Sequence, residues 1–96
     1  MMAAYIMVDV EITDPVEYAA YIRVVPKTIA RYGGRFLVRG GKAVTLEGSW
    51  TPKRVVVLEF PTFETARAWW ASEDYRAPKA LRQSASVTDM ILVEGV

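Results

Sequence analysis

The sequence contains no cysteine and no histidine. Without cysteine there are no disulfides, no thiolate nucleophiles and no soft-metal sites, and without histidine the commonest metal ligand and neutral-pH proton shuttle are missing. Hydrolase triads that need a histidine base are excluded as well. Any chemistry must therefore use carboxylates, tyrosine, lysine, arginine or an activated oxygen species. We expect neither a metal site nor a bound cofactor.

The chain also lacks a large excess of charge of either sign. Twelve Lys and Arg residues face eleven Asp and Glu residues, for a formal net charge of +1, and the basic residues are scattered singly. No electrostatic stripe for phosphate backbones results, so nucleic acid is not an expected partner. The first residues carry no basic segment and reach Asp9 before a long apolar run develops, which predicts no membrane segment and a cytoplasmic protein. With 96 residues, of which 52% are hydrophobic, we expect one domain over residues 1–96.

Hydrophobic periodicity and capping signals divide the chain into alternating strands and helices. Residues 4–12 alternate between apolar and mixed positions, as a strand does. Asp14 and Pro15 begin a helix that ends at Gly33 or Gly34, and Pro26 is expected to kink or divide it. A bend at residues 40–41 and extended chain over 42–46 are expected next. Further strands are predicted near 35–39, 53–60 and 87–93, with a helix from residue 62 that breaks near 72–74 and is interrupted at residue 78.

The order strand, helix, strand, strand, helix, strand predicts an α+β fold of the ferredoxin-like βαββαβ type. Its four-stranded antiparallel sheet has strand order 4-1-3-2, with both helices on one face. Even-numbered residues of the first strand, together with Phe36, Val38 and Val56, are expected to face the helices. The other face is half apolar and half charged. Because so much apolar area marks a contact surface, we expect two sheets to pack face to face in a homodimer, as a dimeric α/β barrel.

Several blocks of sequence resemble the proteins of domain-of-unknown-function family thirteen-thirty, within the dimeric α/β-barrel superfamily. The resemblance covers essentially the whole chain and implies a ferredoxin-like protomer that dimerises through its sheet. The superfamily includes cofactor-free monooxygenases, lactone isomerases and haem-binding enzymes, which implies a small-ligand pocket without choosing a reaction. The blocks are Ala-Tyr-Ile-Met-Val-Asp-Val at 4–10, Thr-Asp-Pro-Val-Glu-Tyr at 13–18, Tyr-Gly-Gly-Arg-Phe-Leu-Val-Arg-Gly-Gly at 32–41, Leu-Glu-Gly-Ser-Trp at 46–50, Val-Leu-Glu-Phe-Pro at 57–61 and Ala-Trp-Trp at 68–70.

The first candidate site combines carboxylates and guanidinium groups at one end of the sheet. Odd-numbered parity places Asp9, Glu11 and Arg39 on the partner-facing side, and Arg54 begins the third strand nearby. The arginines could hold a carboxylate or enolate by forked hydrogen bonds while Asp9 or Glu11 takes a proton. The alternative, which we favour, is a set of ion pairs that fixes the register of the dimer.

A second candidate is Glu59, which shares a face with Arg35 at the opposite end of the sheet. A carboxylate held between two sheets could have a raised pKa and act as an acid or base. Pairing with Arg35 is the favoured interpretation, because an unpaired buried charge is costly.

Aromatic residues form the third candidate set. Seven large rings could line a pocket for a planar small molecule, although most of them are expected to be core: Tyr18, Tyr21, Tyr32, Trp50, Trp69, Trp70 and Tyr75. Helical spacing also explains the first three of these tyrosines as core residues. One of Trp69 and Trp70 must pack inward, and Trp70 is expected to share a face with Phe63. Trp50, in a turn, could close a pocket mouth or anchor the connection between the second and third strands on a partner subunit, and the anchor is slightly favoured.

Two functions of different classes follow. In the first, the protein binds or transforms a small, partly apolar anionic or phenolic molecule in a pocket beside the sheet, without a bound metal. Arg39 and Arg54 would hold its charged end, and the aromatic residues its apolar end. In the second, the protein is a non-catalytic homodimeric module. No motif decides whether the protein is an enzyme.

Overall fold

A computed structural model describes residues 2–96 and contains four strands and three helices. Within that range no helix is both long and apolar enough to cross a membrane. The chain runs through β1 (Ala4–Ile12), α1 (Pro15–Arg31), β2 (Arg35–Arg39), β3 (Val55–Phe60), α2 (Phe63–Trp70), α3 (Glu73–Ala85) and β4 (Ser86–Glu94).

The strands form one antiparallel sheet with the order β2-β3-β1-β4, which confirms the predicted ferredoxin-like topology. In β1 the alternation of apolar and mixed residues becomes an alternation of buried and more exposed side chains. The even-numbered residues of β1 face the helices, and the odd-numbered residues form the opposite surface, which we call the open face.

Local capping explains where the helices begin. The Asp14 side chain accepts a hydrogen bond from the backbone N–H of Glu17, and Thr62 and Thr65 form a reciprocal capping box at α2. Ser72 caps α3 by accepting from the N–H of Tyr75. The first helix ends at Arg31 and is capped by Tyr32, and Gly33 follows with a φ of +75°, the left-handed conformation expected of a glycine there.

Two prolines lie inside helices without dividing them. Pro26 is within α1, and Pro78 is within α3, which continues to Ala85. Each proline removes one backbone donor, but the predicted division of the first helix and interruption of the last one are wrong. Packing of the helices on the sheet outweighs the loss of one hydrogen bond in each.

The core lies between the helices and the even-numbered face of the sheet. Its largest fully buried side chains are Trp69, Tyr75, Phe60, Ile6, Ile29 and Val10. Trp69 is the inward member of the tryptophan pair, at 1% exposure, whereas Trp70 is 43% exposed. Ala66 and Trp69, three residues apart, face the sheet together, so Trp70 does not share the buried face of Ala66.

A β-bulge in β2 changes which of its side chains point toward the helices. Arg35 pairs with Glu59 and Phe36 with Leu58, but the register then shifts so that Val38 pairs with Val57 and Arg39 with Val56. The extra residue reverses the parity of everything after it. The prediction that Arg39 shares the open face with Asp9 is wrong for this reason, and so is the prediction that Val38 faces the helices.

Residues 40–54 connect β2 and β3 without a helix or strand, and we call them the arm. The expected extensions of strand over 42–46 and at 53–54 are therefore absent. Hydrogen bonds of the backbone fix both ends, from the Gly40 N–H to the Val55 carbonyl and from the Val10 N–H to the Arg54 carbonyl. Between these ends Val44, Leu46 and Trp50 are largely exposed.

Candidate functional site

A narrow cavity lies between α1 and the helix-facing side of the sheet. The centre of a water-sized sphere can move through about 40 Å³ of it, and about 510 Å³ of space is empty when the mouth is included. Three of its lining residues are arginines, and no Asp or Glu belongs to the wall. The rest of the wall is formed by Val8, Val10, Tyr18, Tyr21, Ile22, Val25, Pro26, Ile29, Phe36, Val56, Leu58, Trp69 and Met90.

Arg54 reaches this cavity from the start of β3. Its guanidinium carbon lies 5.9 Å from the centroid of the Tyr18 ring. On its other side the group packs against Gly40, where a Cβ would overlap the guanidinium and where φ is +70°. The Nε atom of Arg54 is buried and has no hydrogen-bond partner within residues 2–96. A buried charged donor without an acceptor is rare enough in folded proteins to require an explanation.

Arg39 lies beside the same cavity because of the bulge in β2. Its guanidinium carbon stands 3.8 Å above the centroid of the Phe36 ring, an arrangement in which the cation is attracted to the face of the ring. Stacking on a ring leaves the edge of a guanidinium group free to donate hydrogen bonds. Arg39 and Arg54 therefore line one cavity, which lies on the helix side of the sheet and not on the partner-facing side where Arg39 was expected.

Arg82 is the third arginine of the wall and is only 5% exposed. Its Nε donates to the Tyr75 hydroxyl at 3.2 Å, and that hydroxyl lies 2.9 Å from the hydroxyl of Tyr21. Within residues 2–96 no carboxylate forms a salt bridge with Arg82. Burial raises the pKa of Tyr21, the neighbouring Tyr75 adds to the rise, and the charge of Arg82 partly opposes it. Tyr21 therefore remains a protonated hydrogen-bond donor.

Trp69 lines the cavity and belongs to a row of packed aromatic rings. Trp69 stacks on Tyr75 with ring centroids 4.0 Å apart and packs against Phe60 at 5.4 Å. The indole N–H of Trp69 donates to the hydroxyl of Thr28 at 3.0 Å, which satisfies its buried polar atom. The contacts hold the ring in one orientation, so that Trp69 gives the cavity a rigid wall.

Asp9 lies outside the cavity and holds the arm to the open face. Its carboxylate accepts from the indole N–H of Trp50 at 2.9 Å, from the N–H of Lys53 at 2.8 Å and from the N–H of Arg54 at 3.4 Å. The hydrogen bond from Trp50 is the main reason that the pKa of Asp9 is lowered. Partial burial alone would raise this pKa, but the two backbone donors and the charge of Lys53 lower it further. Trp50 thus anchors the arm, within its own chain.

The remaining predicted carboxylates are also on the open face. Glu59 accepts from Nε of Arg35 at 2.7 Å, as the structural interpretation of that pair expected. Glu11 is exposed opposite Val87 of β4. Of the predicted site residues, Tyr18, Arg39, Arg54 and Trp69 line the cavity, whereas Asp9, Glu11, Trp50 and Glu59 do not.

A second and wider groove runs along β4 beside α2 and α3. Its volume is about 710 Å³, to be compared with the 40 Å³ of the cavity. Arg67, Trp70 and Met90 contribute to its wall, and Arg82 belongs to the walls of both the groove and the cavity. Within residues 2–96 no cluster of three or more Asp or Glu side chains could hold a metal ion.

Arg82 was not predicted as a site residue, and Tyr21 and Tyr75 were predicted only as members of the large aromatic set. Tyr75 and Arg82 are seven residues apart, which places them on one face of α3 two turns apart, and this spacing was the available signal. Tyr21, by contrast, contacts Tyr75 across 54 residues of sequence, and no local pattern predicts that contact.

Comparisons with known proteins agree with this architecture. A protein of unknown function from Rhodopseudomonas palustris has a TM-score of 0.78 at 21% identity, over 99% of this chain and 83% of its own. SnoaB, a cofactor-independent oxygenase from Streptomyces nogalater, has a TM-score of 0.65 at 14% identity, over 96% of this chain and 91% of its own. A dimeric ferredoxin-like protein of unknown function from Thermobifida fusca has a TM-score of 0.63 at 18% identity, over 99% and 92%.

At these identities the likeness shows the fold alone. No curated protein sequence matches the chain. The model of one family, described as Domain of unknown function (DUF1330), matches residues 3–96. The chain therefore belongs to the DUF1330 family.

Proposed function

We propose that the protein binds a small, partly apolar carboxylate or phenolate in the cavity between α1 and the sheet. The observation that carries this proposal is the buried Nε of Arg54, which has no acceptor within the described chain. Its cavity contains three arginines and no Asp or Glu. A negatively charged oxygen would complete the hydrogen bonding of Arg54 and offset the charges of these arginines.

The apolar part of the ligand would contact the side chains of α1 and the sheet. Val25, Ile29 and Leu58 line the cavity and are almost fully buried, and the ring of Tyr18 lies beside Arg54. The limited volume selects a molecule of about one ring, because a larger ligand would have to displace packed core residues. The similar fold of SnoaB, a cofactor-independent oxygenase, supports a small-molecule site in this architecture without fixing a reaction.

Calorimetric titration with benzoate and with the neutral, equally sized benzamide tests the charge requirement. If Arg54 supplies a buried, charge-assisted hydrogen bond, benzoate should bind about 10-fold or more tightly than benzamide. In Arg54→Met this preference should fall to about twofold or less. Arg67→Met is the matched control, since Arg67 lies over the Phe63 ring and outside the cavity. A preference that survives Arg54→Met, or no preference in the unaltered protein, contradicts the proposal.

The open face supports a homodimer as part of the same proposal. Met7, Val87, Ile91 and Val93 are each at least 40% exposed on this face, which leaves a broad apolar surface for a second copy. The Thermobifida fusca relative is described as dimeric. In analytical ultracentrifugation we expect a dimer that Ile91→Asp converts to a monomer, whereas Val16→Asp, at an exposed position of α1, leaves it intact. A monomer in the unaltered protein contradicts this assembly.

A second candidate function is a dimeric module without a ligand. The contacts of Asp9 with Trp50 and of Glu59 with Arg35 favour it, because both carboxylates already serve structural pairs. The two functions differ in whether the cavity binds a small molecule. A dimer that binds neither benzoate nor a co-purified small molecule, detected by native mass spectrometry, would favour the module.

A further inference from the structure

The direction of one buried hydrogen-bond chain specifies a second contact for the ligand. The chain begins at Arg82, whose guanidinium group has only donors. Its Nε donates to the Tyr75 oxygen at 3.2 Å. Tyr75 is fully buried, so an unpaired hydroxyl proton on it would carry the penalty of a buried donor without a partner.

Tyr75 can satisfy this proton in one way within residues 2–96. The single other oxygen in contact with its hydroxyl is that of Tyr21, at 2.9 Å. Because Arg82 already uses one lone pair of the Tyr75 oxygen as an acceptor, donation from Tyr75 to Tyr21 leaves no group of Tyr75 unpaired. The alternative direction, from Tyr21 to Tyr75, would leave the Tyr75 proton without an acceptor. The chain therefore runs from Arg82 through Tyr75 to Tyr21.

This direction leaves the proton of Tyr21 free at the end of the chain. Tyr21 lines the cavity, and no other hydrogen bond occupies its hydroxyl within the described residues. Burial raises the pKa of Tyr21 above the ordinary value, so the hydroxyl keeps its proton at working pH. Each hydrogen bond of a chain polarises the next, and the cation at its start makes the last donor stronger.

We propose that the Tyr21 hydroxyl donates a hydrogen bond to a second oxygen of the ligand, separate from the anionic group held at Arg54. The inference rests on the proposed function. Tyr18 lies between the two ends, with its ring centroid 5.9 Å from the Arg54 guanidinium carbon and 5.5 Å from the Tyr21 ring centroid. The ligand class is therefore a ring of about the size of benzene that carries an acidic group and a hydroxyl or carbonyl oxygen away from it.

Pairs of ligands with the same shape measure how much this oxygen contributes to the binding affinity. The affinities of 3- and 4-hydroxybenzoate are compared with those of 3- and 4-methylbenzoate, which have the same shape without the oxygen. At least one hydroxybenzoate should bind about 10-fold more tightly than its methyl counterpart, because the site discriminates by a hydrogen bond. In Tyr21→Phe the ratio should fall to about twofold or less, while the affinity for the methylbenzoate changes by about threefold at most.

Tyr75→Phe distinguishes a positioning role from a packing role. This variant keeps the Tyr21 hydroxyl but cuts the chain from Arg82, so the ratio of hydroxyl to methyl affinities should fall while the affinity for methylbenzoate persists. If either variant does not fold, the unaltered protein decides by NMR of ¹³Cζ-labelled tyrosine. There hydroxybenzoate should shift the Tyr21 Cζ resonance and methylbenzoate should leave it in place.

The outcomes distinguish the two proposals. Failure of every benzoate to bind the unaltered protein would overturn the proposed function and this inference with it. Methylbenzoate binding with no gain from the hydroxyl, or a gain that survives in Tyr21→Phe, would overturn the inference alone and leave the anion site of Arg54 standing. An unshifted Tyr21 resonance in the hydroxybenzoate complex would overturn it in the same way.

Discussion

Removal of the Asp9 carboxylate should release the arm while the sheet stays folded. Among residues 2–96, Asp9 is the side chain whose hydrogen bonds join Trp50, Lys53 and Arg54 to β1, two of them at 2.9 and 2.8 Å and a longer one at 3.4 Å. The backbone contacts at Gly40 and Arg54 hold only the ends of the arm. In Asp9→Ala the ends should therefore stay in place and the segment around Trp50 should detach.

The size of this effect follows from the contacts. A hydrogen bond to a charged group contributes about 1.5–3 kcal/mol when it is protected, and solvent access at Asp9 reduces this to about 1 kcal/mol for each of the two short bonds. We neglect the long bond. The total of about 2 kcal/mol corresponds to about a 30-fold change in the equilibrium between the docked and released arm.

Hydrogen exchange measures this equilibrium directly. The Lys53 amide, which donates to Asp9, should exchange about 30-fold faster in Asp9→Ala, because local opening governs its protection. Glu11→Ala is the matched control, since Glu11 lies on the same strand and face without a hydrogen bond from the arm. Asp9→Asn, which keeps one good acceptor oxygen, should give an intermediate rate. Unchanged Lys53 exchange in Asp9→Ala, or equal acceleration in Glu11→Ala, would refute the anchoring role.

Three further substitutions test the packing and electrostatics of the core. Gly34→Ala should destabilise the protein by about 1–3 kcal/mol in urea unfolding, since its Cβ would lie 2.6 Å from a Phe60 ring carbon. The Cβ of Gly41→Ala would meet nothing within 4 Å, so equal unfolding midpoints of the two variants would contradict the close approach at Gly34. Thr28→Val removes the acceptor of the Trp69 indole N–H and should cost about 1–3 kcal/mol, so an unchanged midpoint would show that the bond contributes nothing. Above pH ~10 Tyr21 loses its proton in the unfolded chain but keeps it when buried in the folded protein. The free energy of unfolding should therefore fall by about 1.4 kcal/mol per pH unit because of Tyr21, and Tyr21→Phe should make this fall with pH less steep. Parallel pH profiles of the two proteins would be inconsistent with a raised pKa at Tyr21.

The sequence predicted the architecture because each element carries its own local signal. The alternation in β1 specifies a strand with one buried face, and Asp14 followed by Pro15 specifies where α1 begins. Once the order of elements is known, few sheet topologies remain, and the strand order follows from chain connectivity. These features depend on neighbours in sequence, which a single chain displays directly.

The site was predicted less well because it depends on register and on distant contacts. Parity placed Arg39 on the open face, but one bulged residue in β2 turned it to the helices, and a bulge is a property of two paired strands. Helical spacing alone did not decide between Trp69 and Trp70, since the sheet determines which face of α2 is covered. Arg39 and Arg54 lie near one another beside the cavity because they are at the two ends of the arm.

The most direct test of the carboxylate site is a methyl NMR titration of the protein with benzoate. If benzoate binds in the cavity, the methyl resonances of Val25 and Ile29, which line it, should shift, and those of Val87 and Val93 on the open face should not. Shifts confined to the open face, or no shifts at benzoate concentrations up to about 10 mM, would contradict a carboxylate site at Arg54.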